Sequence, residues 1–261
     1  MTSRAEGPTP VRDGEKAPSR RRTARRPSAL VAALTVLVVL VVCGGCSGYA
    51  SSRPATPTKL PPAAEPAAAG PQRAIPTGSV RPVGAGPEGL VVGRGGQVVV
   101  ALRGRRLALV NPDPRVPVRT VAVLGTARHL QLATTSSGVL VPGEDTDTLA
   151  EIALPAGTVT RVTGVGRQPH DAAATGPGGP YIVSDELGSA VSFVAGGRET
   201  ARLSGPVQPG GVASAGAGAD GDGRAVVVGV RGNALFVYGT RPPRQIARLP
   251  AGAGPTHAVE V

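Results

Sequence analysis

Short apolar runs separated by polar, glycine-rich turns recur along the chain from about residue 80 onward, and no stretch of that region carries a helical period. Runs of four to six residues bounded by Gly, Pro, Asn and Asp predict strands rather than helices. Four of them, at 97–102, 138–141, 181–184 and 225–230, are apolar almost without interruption. A strand with no polar face is one buried on both sides. Each is followed by a polar turn and a third strand, at 106–110, 148–154, 190–194 and 234–238. A fourth strand closes each unit, at 118–123, 159–165, 199–203 and 245–249.

Each unit opens on a short anchor segment. The anchors are Pro87-Glu88-Gly89-Leu90-Val91, Ala127-Arg128-His129-Leu130-Gln131, Pro169-His170-Asp171-Ala172-Ala173, Pro209-Gly210-Gly211-Val212-Ala213 and Pro255-Thr256-His257-Ala258-Val259. Their first residues are spaced by 40, 42, 40 and 46, and the Gly/Asp loop around Asp220 and Asp222 accounts for the longest interval. Four strands per forty-odd residues, repeated, predict an all-β β-propeller of four-stranded blades. The chain holds four such units plus the start of a fifth, an incomplete ring that suggests a fragment or an early-terminated copy. An open ring would leave the faces and edges of two terminal blades uncovered.

The third unit carries a family resemblance. It runs Gly166-Arg167-Gln168-Pro169-His170, then Tyr181-Ile182-Val183-Ser184-Asp185-Glu186-Leu187-Gly188-Ser189-Ala190-Val191-Ser192-Phe193-Val194. This resembles the YncE-like repeats, relatives of the NHL and lactonase-type propellers, over about residues 80–261. The resemblance implies the propeller fold and leaves function open. It also implies that a Pro-His pair is most commonly a turn element, its imidazole bonding nearby backbone.

Upstream, the pattern changes. Residues 1–28 hold eight basic and three acidic residues, including Arg20, Arg21, Arg22, Arg25 and Arg26, and precede a 14-residue run at 29–42 that is apolar except for Thr35. A basic region followed by a short apolar run fits a secretory signal, and is short for a bilayer span of about 20 residues. Cys43-Gly44-Gly45-Cys46 follows, similar to the lipobox of bacterial lipoproteins, with small residues before Cys46. The segment 29–46 thus predicts export and lipidation at Cys46, the alternative being an uncleaved single-pass anchor. In both cases residues 1–28 stay cytoplasmic and the body lies on the outer face of the membrane. Residues 47–79, rich in Pro, Ala and Ser, predict a disordered tether. Residues 80–261 form the propeller.

Composition narrows the chemistry. The net charge is +11, but 26 of the 28 basic residues are Arg and there are only two Phe, three Tyr and no Trp. Scattered arginines with few aromatic platforms make a poor single-strand binding surface, so no nucleic-acid partner is expected. Both cysteines lie in the signal segment, so the body has neither a disulfide nor a thiol nucleophile. No Gly-x-Ser-x-Gly elbow and no phosphate loop occurs.

The three histidines, His129, His170 and His257, all fall within anchors, and equivalent positions of successive blades project toward one end of a propeller axis. Three imidazoles about an axis would be able to ligate a metal, or His170 to act as acid/base beside Asp171. The plainer reading is the turn element that the resemblance implies. No metal and no cofactor is assigned from the sequence. Glu144-Asp145-Thr146-Asp147 and Asp220-Gly221-Asp222-Gly223 lack calcium-loop spacing and read as solvated turns. Asp185-Glu186 ends a second strand, where Asp185 would line the rim of the channel or serve in a turn. The expected function is a membrane-held binding or scaffold module for a protein or small ligand, with His129, His170, His257 and Asp185 as candidate ligand residues. The alternatives are a metal-dependent lactonase- or lyase-like propeller using His170, and a truncated copy with no function of its own.

Overall fold

The computed structural model describes residues 70–71, 73–74, 77–135, 137–217 and 222–259. The basic segment 1–28, the signal and lipobox segment with Cys46, and most of the tether 47–79 lie outside the described residues. Among the described residues no helix is long and apolar enough to cross a membrane.

Residues 73–261 form one compact unit of four antiparallel four-stranded sheets. Blade 1 contains β1 (Pro87–Val92), β2 (Val98–Leu102), β3 (Arg106–Val110) and β4 (Arg119–Ala122). Blade 2 contains β5 (Gln131–Leu132), β6 (Gly138–Gly143), β7 (Thr148–Ala153) and β8 (Thr158–Gly164). Blade 3 contains β9 (Pro169–Ala174), β10 (Tyr181–Asp185), β11 (Ala190–Ala195) and β12 (Arg198–Ser204). Blade 4 contains β13 (Pro209–Ala217), β14 (Gly223–Gly229), β15 (Ala234–Thr240) and β16 (Pro243–Pro250). Strands pair in sequence order within every sheet, the up-and-down meander of a propeller blade. The second, third and fourth strands fall within a few residues of where the apolar runs place them. Two anchors differ from expectation. In blade 2 only Gln131 and Leu132 pair, and the fifth anchor, 255–259, has no strand among its described residues.

The apolar second strands are buried on both faces because each separates two packed layers. Along β6, Val139 and Val141 face blade 1, where they join Val99, Ala101, Leu107 and Leu109. Leu140, between them, faces Val183, Ala172 and Val194 of blade 3. Along β10, Val183 completes that layer, while Ile182 turns the other way toward Val212, Ala225, Val227 and Tyr238 of blade 4. The period-2 alternation of a strand therefore supplies alternate side chains to two neighbouring cores. On the outer face of blade 1, Val100, Leu102 and Ala108 are covered by Val83 from the incoming segment.

Two backbone clasps recur with the repeat. The residue after each outer strand donates its amide to the turn between the second and third strands of the same blade: Val123 to Arg105, Val165 to Asp147, Gly205 to Ser189 and Ala251 to Asn233. All four acceptors are left-handed, with φ between 45° and 60°. The second clasp joins the end of the second strand to the residue preceding the anchor: Arg103 to Gly86, Glu144 to Thr126, Glu186 to Gln168 and Val230 to Gln208, at 2.9–3.2 Å. This second clasp positions the site described below.

Phe193 is fully buried between blades 3 and 4, its ring edge-on to Tyr238 with centroids 6.2 Å apart. In a chain with two Phe and no Trp it is one of the few large side chains available to fill a layer. Phe193→Ala is expected to cost about 3–5 kcal/mol of unfolding free energy, read by urea denaturation. A loss under about 1 kcal/mol would show that this interface is not packed as described.

Candidate functional site

Glycines let the inner backbones approach at the anchors. A Cβ on Gly89 would sit 2.2 Å from the Arg128 carbonyl oxygen, and one on Gly211 would sit 2.8 Å from the His257 Cα. Gly211 also donates its amide to the Thr256 carbonyl at 2.9 Å, which ties residues 255–257 against blade 4 without a strand. The result is that His129 of the second anchor, His170 of the third and His257 of the fifth converge. His129 stands edge-on to both others, with ring centroids 4.6 Å from His170 and 4.5 Å from His257. The Nε2 atoms of His129 and His257 are 3.2 Å apart.

Two carboxylates complete the cluster. His170 Nδ1 lies 3.0 Å from Glu144 Oε1 and 3.4 Å from Glu186 Oε2. Both glutamates are largely buried, and both sit on the amide that makes the second clasp, one in blade 2 and one in blade 3. Arg128 Nε pairs with Glu144 Oε2 at 3.2 Å. Gln208 donates to Glu186 Oε1 at 2.8 Å, Gln168 donates to Oε2 at 3.3 Å, and Arg231 in turn donates to Gln208 at 2.6 Å. The sequence reading placed Glu144 and Glu186 in turns and did not connect them with His170. The available signal is positional, since each lies 17 residues after the first residue of its own anchor.

The electrostatics divide the three imidazoles. Burial, aided by the neighbouring His170, His257 and Arg128, pushes His129 down to about 3. Burial and His170 also lower His257. For His170 burial acts in the same direction, but the Glu144 hydrogen bond and the charges of Glu186, Glu144 and Asp171 outweigh it and raise the pKa. At neutral pH the cluster therefore presents neutral nitrogens on His129 and His257 beside a carboxylate-held His170.

The two candidate aspartates are engaged elsewhere. Asp171 is buried, and its carboxylate accepts from the amides of Ala172 and Val212, both at 2.8 Å, joining blade 3 to blade 4. Burial raises it to about 6 against those hydrogen bonds. Asp185 is fully buried, packs against Gly166 and lies 2.6 Å from Ser192 Oγ, which is itself 2.6 Å from Glu199 Oε1. A hydroxyl has one proton, so two such short contacts require a proton on one of the carboxyls. Asp185, the fully buried one of the pair, is the carboxyl whose protonated form burial favours. Burial raises Asp185 to about 7, against the Ser192 hydrogen bond.

The stretch 144–147 is a turn with Asp145 and Asp147 exposed, whereas Asp222 is buried rather than solvated. Asp145 Oδ1 accepts from the Thr126 amide and Asp147 Oδ1 from the Gln168 amide, bracing two connections between blades. Asp222 Oδ1 accepts from the Thr240 and Arg241 amides. Two clefts of about 590 and 440 Å³ lie away from the histidines. One is lined by Arg94, Leu132, Thr134 and Thr135, the other by Gln97, Asn111, Arg119 and Pro155.

No family model matches the chain, and no curated protein matches it. Solved propellers do. A streptogramin B lyase superposes with a TM-score of 0.56 at 12% identity, covering 67% of this chain and 59% of that one. A virginiamycin B lyase from Staphylococcus aureus gives 0.54 at 15% identity, covering 67% and 60%. A functionally unknown protein from Desulfotomaculum acetoxidans DSM 771 gives 0.52 at 11%, covering 65% and 57%. The chain spans about three fifths of the length of these structures. At such identities the likeness is one of fold, and it defines the class as a β-propeller.

The raised pKa of Asp185 has a consequence for stability. A carboxyl raised from 3.8 to about 7 binds more protons folded than unfolded between those values, so its contribution falls as pH rises through that window and is constant above it. The melting temperature of Asp185→Asn, relative to wild type, is expected to climb from pH 4 to pH 7 and then level. A flat difference would show that Asp185 is ionised throughout.

Proposed function

We propose that this protein is an exported, membrane-held β-propeller that binds a small ligand or a partner group at the histidine end of its inner strands. The observation that carries the reading is the convergence of His129, His170 and His257, from three separate repeats, with His170 held on two largely buried glutamates that are themselves held by Arg128, Gln168 and Gln208. Burying and tethering two carboxylates opposes the folding free energy unless they are paired. Such an arrangement suits a site kept ready for an incoming group. The rings are in mutual contact, so the site suits a compact or protruding group better than an enclosed, bulky substrate. Export rests on the segment 29–46, with Cys46 as the lipid attachment point and 47–79 as the spacer that carries the body off the membrane.

A second reading is favoured by one feature. His170 has both carboxylates on Nδ1, which leaves Nε2 as a potential acid/base, the orientation used where a carboxylate aligns a catalytic imidazole. Some solved propellers of similar fold are streptogramin-type lyases, and one virginiamycin B lyase was crystallised with quinupristin. On this reading the protein is a lactonase- or lyase-type enzyme.

Two measurements separate these readings. In a thermal-shift screen of small organic acids, sugars and peptides, the binding reading predicts ligands that raise the wild-type melting temperature and leave His170→Ala unmoved. It also predicts no His170-dependent turnover of quinupristin. Turnover that His170→Ala abolishes would replace it with the enzyme reading. Stabilisation equal in both proteins would remove the histidine end as the site. The intact mass of protein extracted from membranes is expected to match a chain beginning at Cys46 and bearing a diacylglyceryl group. Retention of residues 1–45 would contradict lipidation.

A further inference from the structure

We propose that His129, His170 and His257 form a three-imidazole site for a borderline divalent transition metal, zinc above all, with Glu144 and Glu186 as the carboxylates that orient His170. This inference deepens the binding site proposed above and rests on it.

The argument begins with which nitrogen each ring can offer. His257 Nδ1 is 3.0 Å from Thr256 Oγ1, which leaves Nε2. His170 Nδ1 is taken by Glu144 and Glu186, which again leaves Nε2. His129 meets His257 through Nε2. One ligand nitrogen from each ring lies within 4.8 Å of the other two. Two nitrogens bound tetrahedrally to zinc at 2.0–2.1 Å are separated by roughly 3.3 Å, and the His129 and His257 nitrogens are already 3.2 Å apart.

The donor set points to the kind of ion. Imidazoles suit zinc, copper, nickel and iron, whereas magnesium and calcium take oxygen ligands. A competing arrangement would use Glu144, His170 and Glu186 themselves as ligands. Their oxygens are already engaged, however, by Arg128 on Glu144 and by Gln168 and Gln208 on Glu186. A carboxylate bonded to the far nitrogen of an imidazole is the usual outer partner of a histidine metal ligand, fixing its tautomer and raising its basicity. Here two carboxylates share one imidazole, and each directly follows the second strand of a different blade. Three protein ligands leave one position of a tetrahedral ion for water or an incoming group, the pattern of sites that exchange ligands rather than of structural ones.

The test uses the full chain in detergent. Calorimetric titration with zinc chloride is expected to give one ion per chain, and cobalt(II) to develop the intense visible absorption of a tetrahedral complex. His257→Asn lies in the exposed terminal segment and should leave the melting temperature of the metal-free protein unchanged while abolishing the cobalt band. Glu186→Gln should retain one-to-one binding but weaken it by about 10–100-fold. Absence of saturable binding, or binding by His129→Asn and His257→Asn that equals that of wild type, overturns the metal site. In the first case the broader proposal survives if an organic ligand still stabilises wild type and not His170→Ala. It falls with the metal if neither ligand nor ion distinguishes the two proteins.

Discussion

The arrangement of the molecule depends on one backbone hydrogen bond made four times. At the end of the second strand an amide (of Arg103, Glu144, Glu186 or Val230) donates to the carbonyl of the residue that precedes the anchor of the same blade. The bond is short-range in space and 17 to 22 residues apart in sequence, so it sets the height at which each anchor starts. Because it recurs, residues just after Thr126 and Gln168 and residues at the ends of β6 and β10 come to one level. His129, His170, Glu144 and Glu186 are the side chains that occupy those positions, and the site follows from the fold's own repeat.

Burial supplies the other half of the account. With few aromatic residues, the cores between blades are built from Val, Leu, Ile and Ala, each strand giving alternate side chains to two layers. Such layers are thin, and their tightness depends on close backbone approach. Gly89 against Arg128 and Gly211 against His257 allow it near the histidines. Buried polar groups sit where adjoining blades or strands must be joined: Asp171 accepts two amides across blades 3 and 4, and the Asp185–Ser192–Glu199 chain links three strands of blade 3. These are groups that lose most when left unpaired.

Much of this was legible in the sequence, for a physical reason. A strand buried on both faces must be apolar throughout, so 97–102, 138–141, 181–184 and 225–230 announced themselves, and the turns between them carry residues suited to left-handed backbone, such as Asn233. The anchors were visible as segments spaced by 40 to 46 residues, four of the five opening on Pro, which put the three histidines at comparable places. What could not be read was contact across blades. Glu144 looked like part of an acidic turn, and only the closing of blade 2 on blade 3 sets it 3.0 Å from His170, 26 residues away. Asp185 looked like a rim residue because it ends an apolar strand. Its side chain points instead to Ser192, a choice made by the pleat and by the space that Gly166 leaves. The anchor at 255–259 reads as a strand by its likeness to the others, yet it docks through the Gly211 amide hydrogen bond to Thr256 and through His257 on His129, with no partner strand among the described residues.

The central claim is that histidines from three separate repeats share one site. The chain contains three histidines and no others, so histidine-selective isotope labelling gives a spectrum with three ring systems. Nuclear Overhauser contacts between ring protons would test the claim directly. The account predicts cross-peaks from the His129 ring to both His170 and His257, each of which collapses when one partner is replaced by Asn. Three isolated ring systems in the folded protein would contradict it.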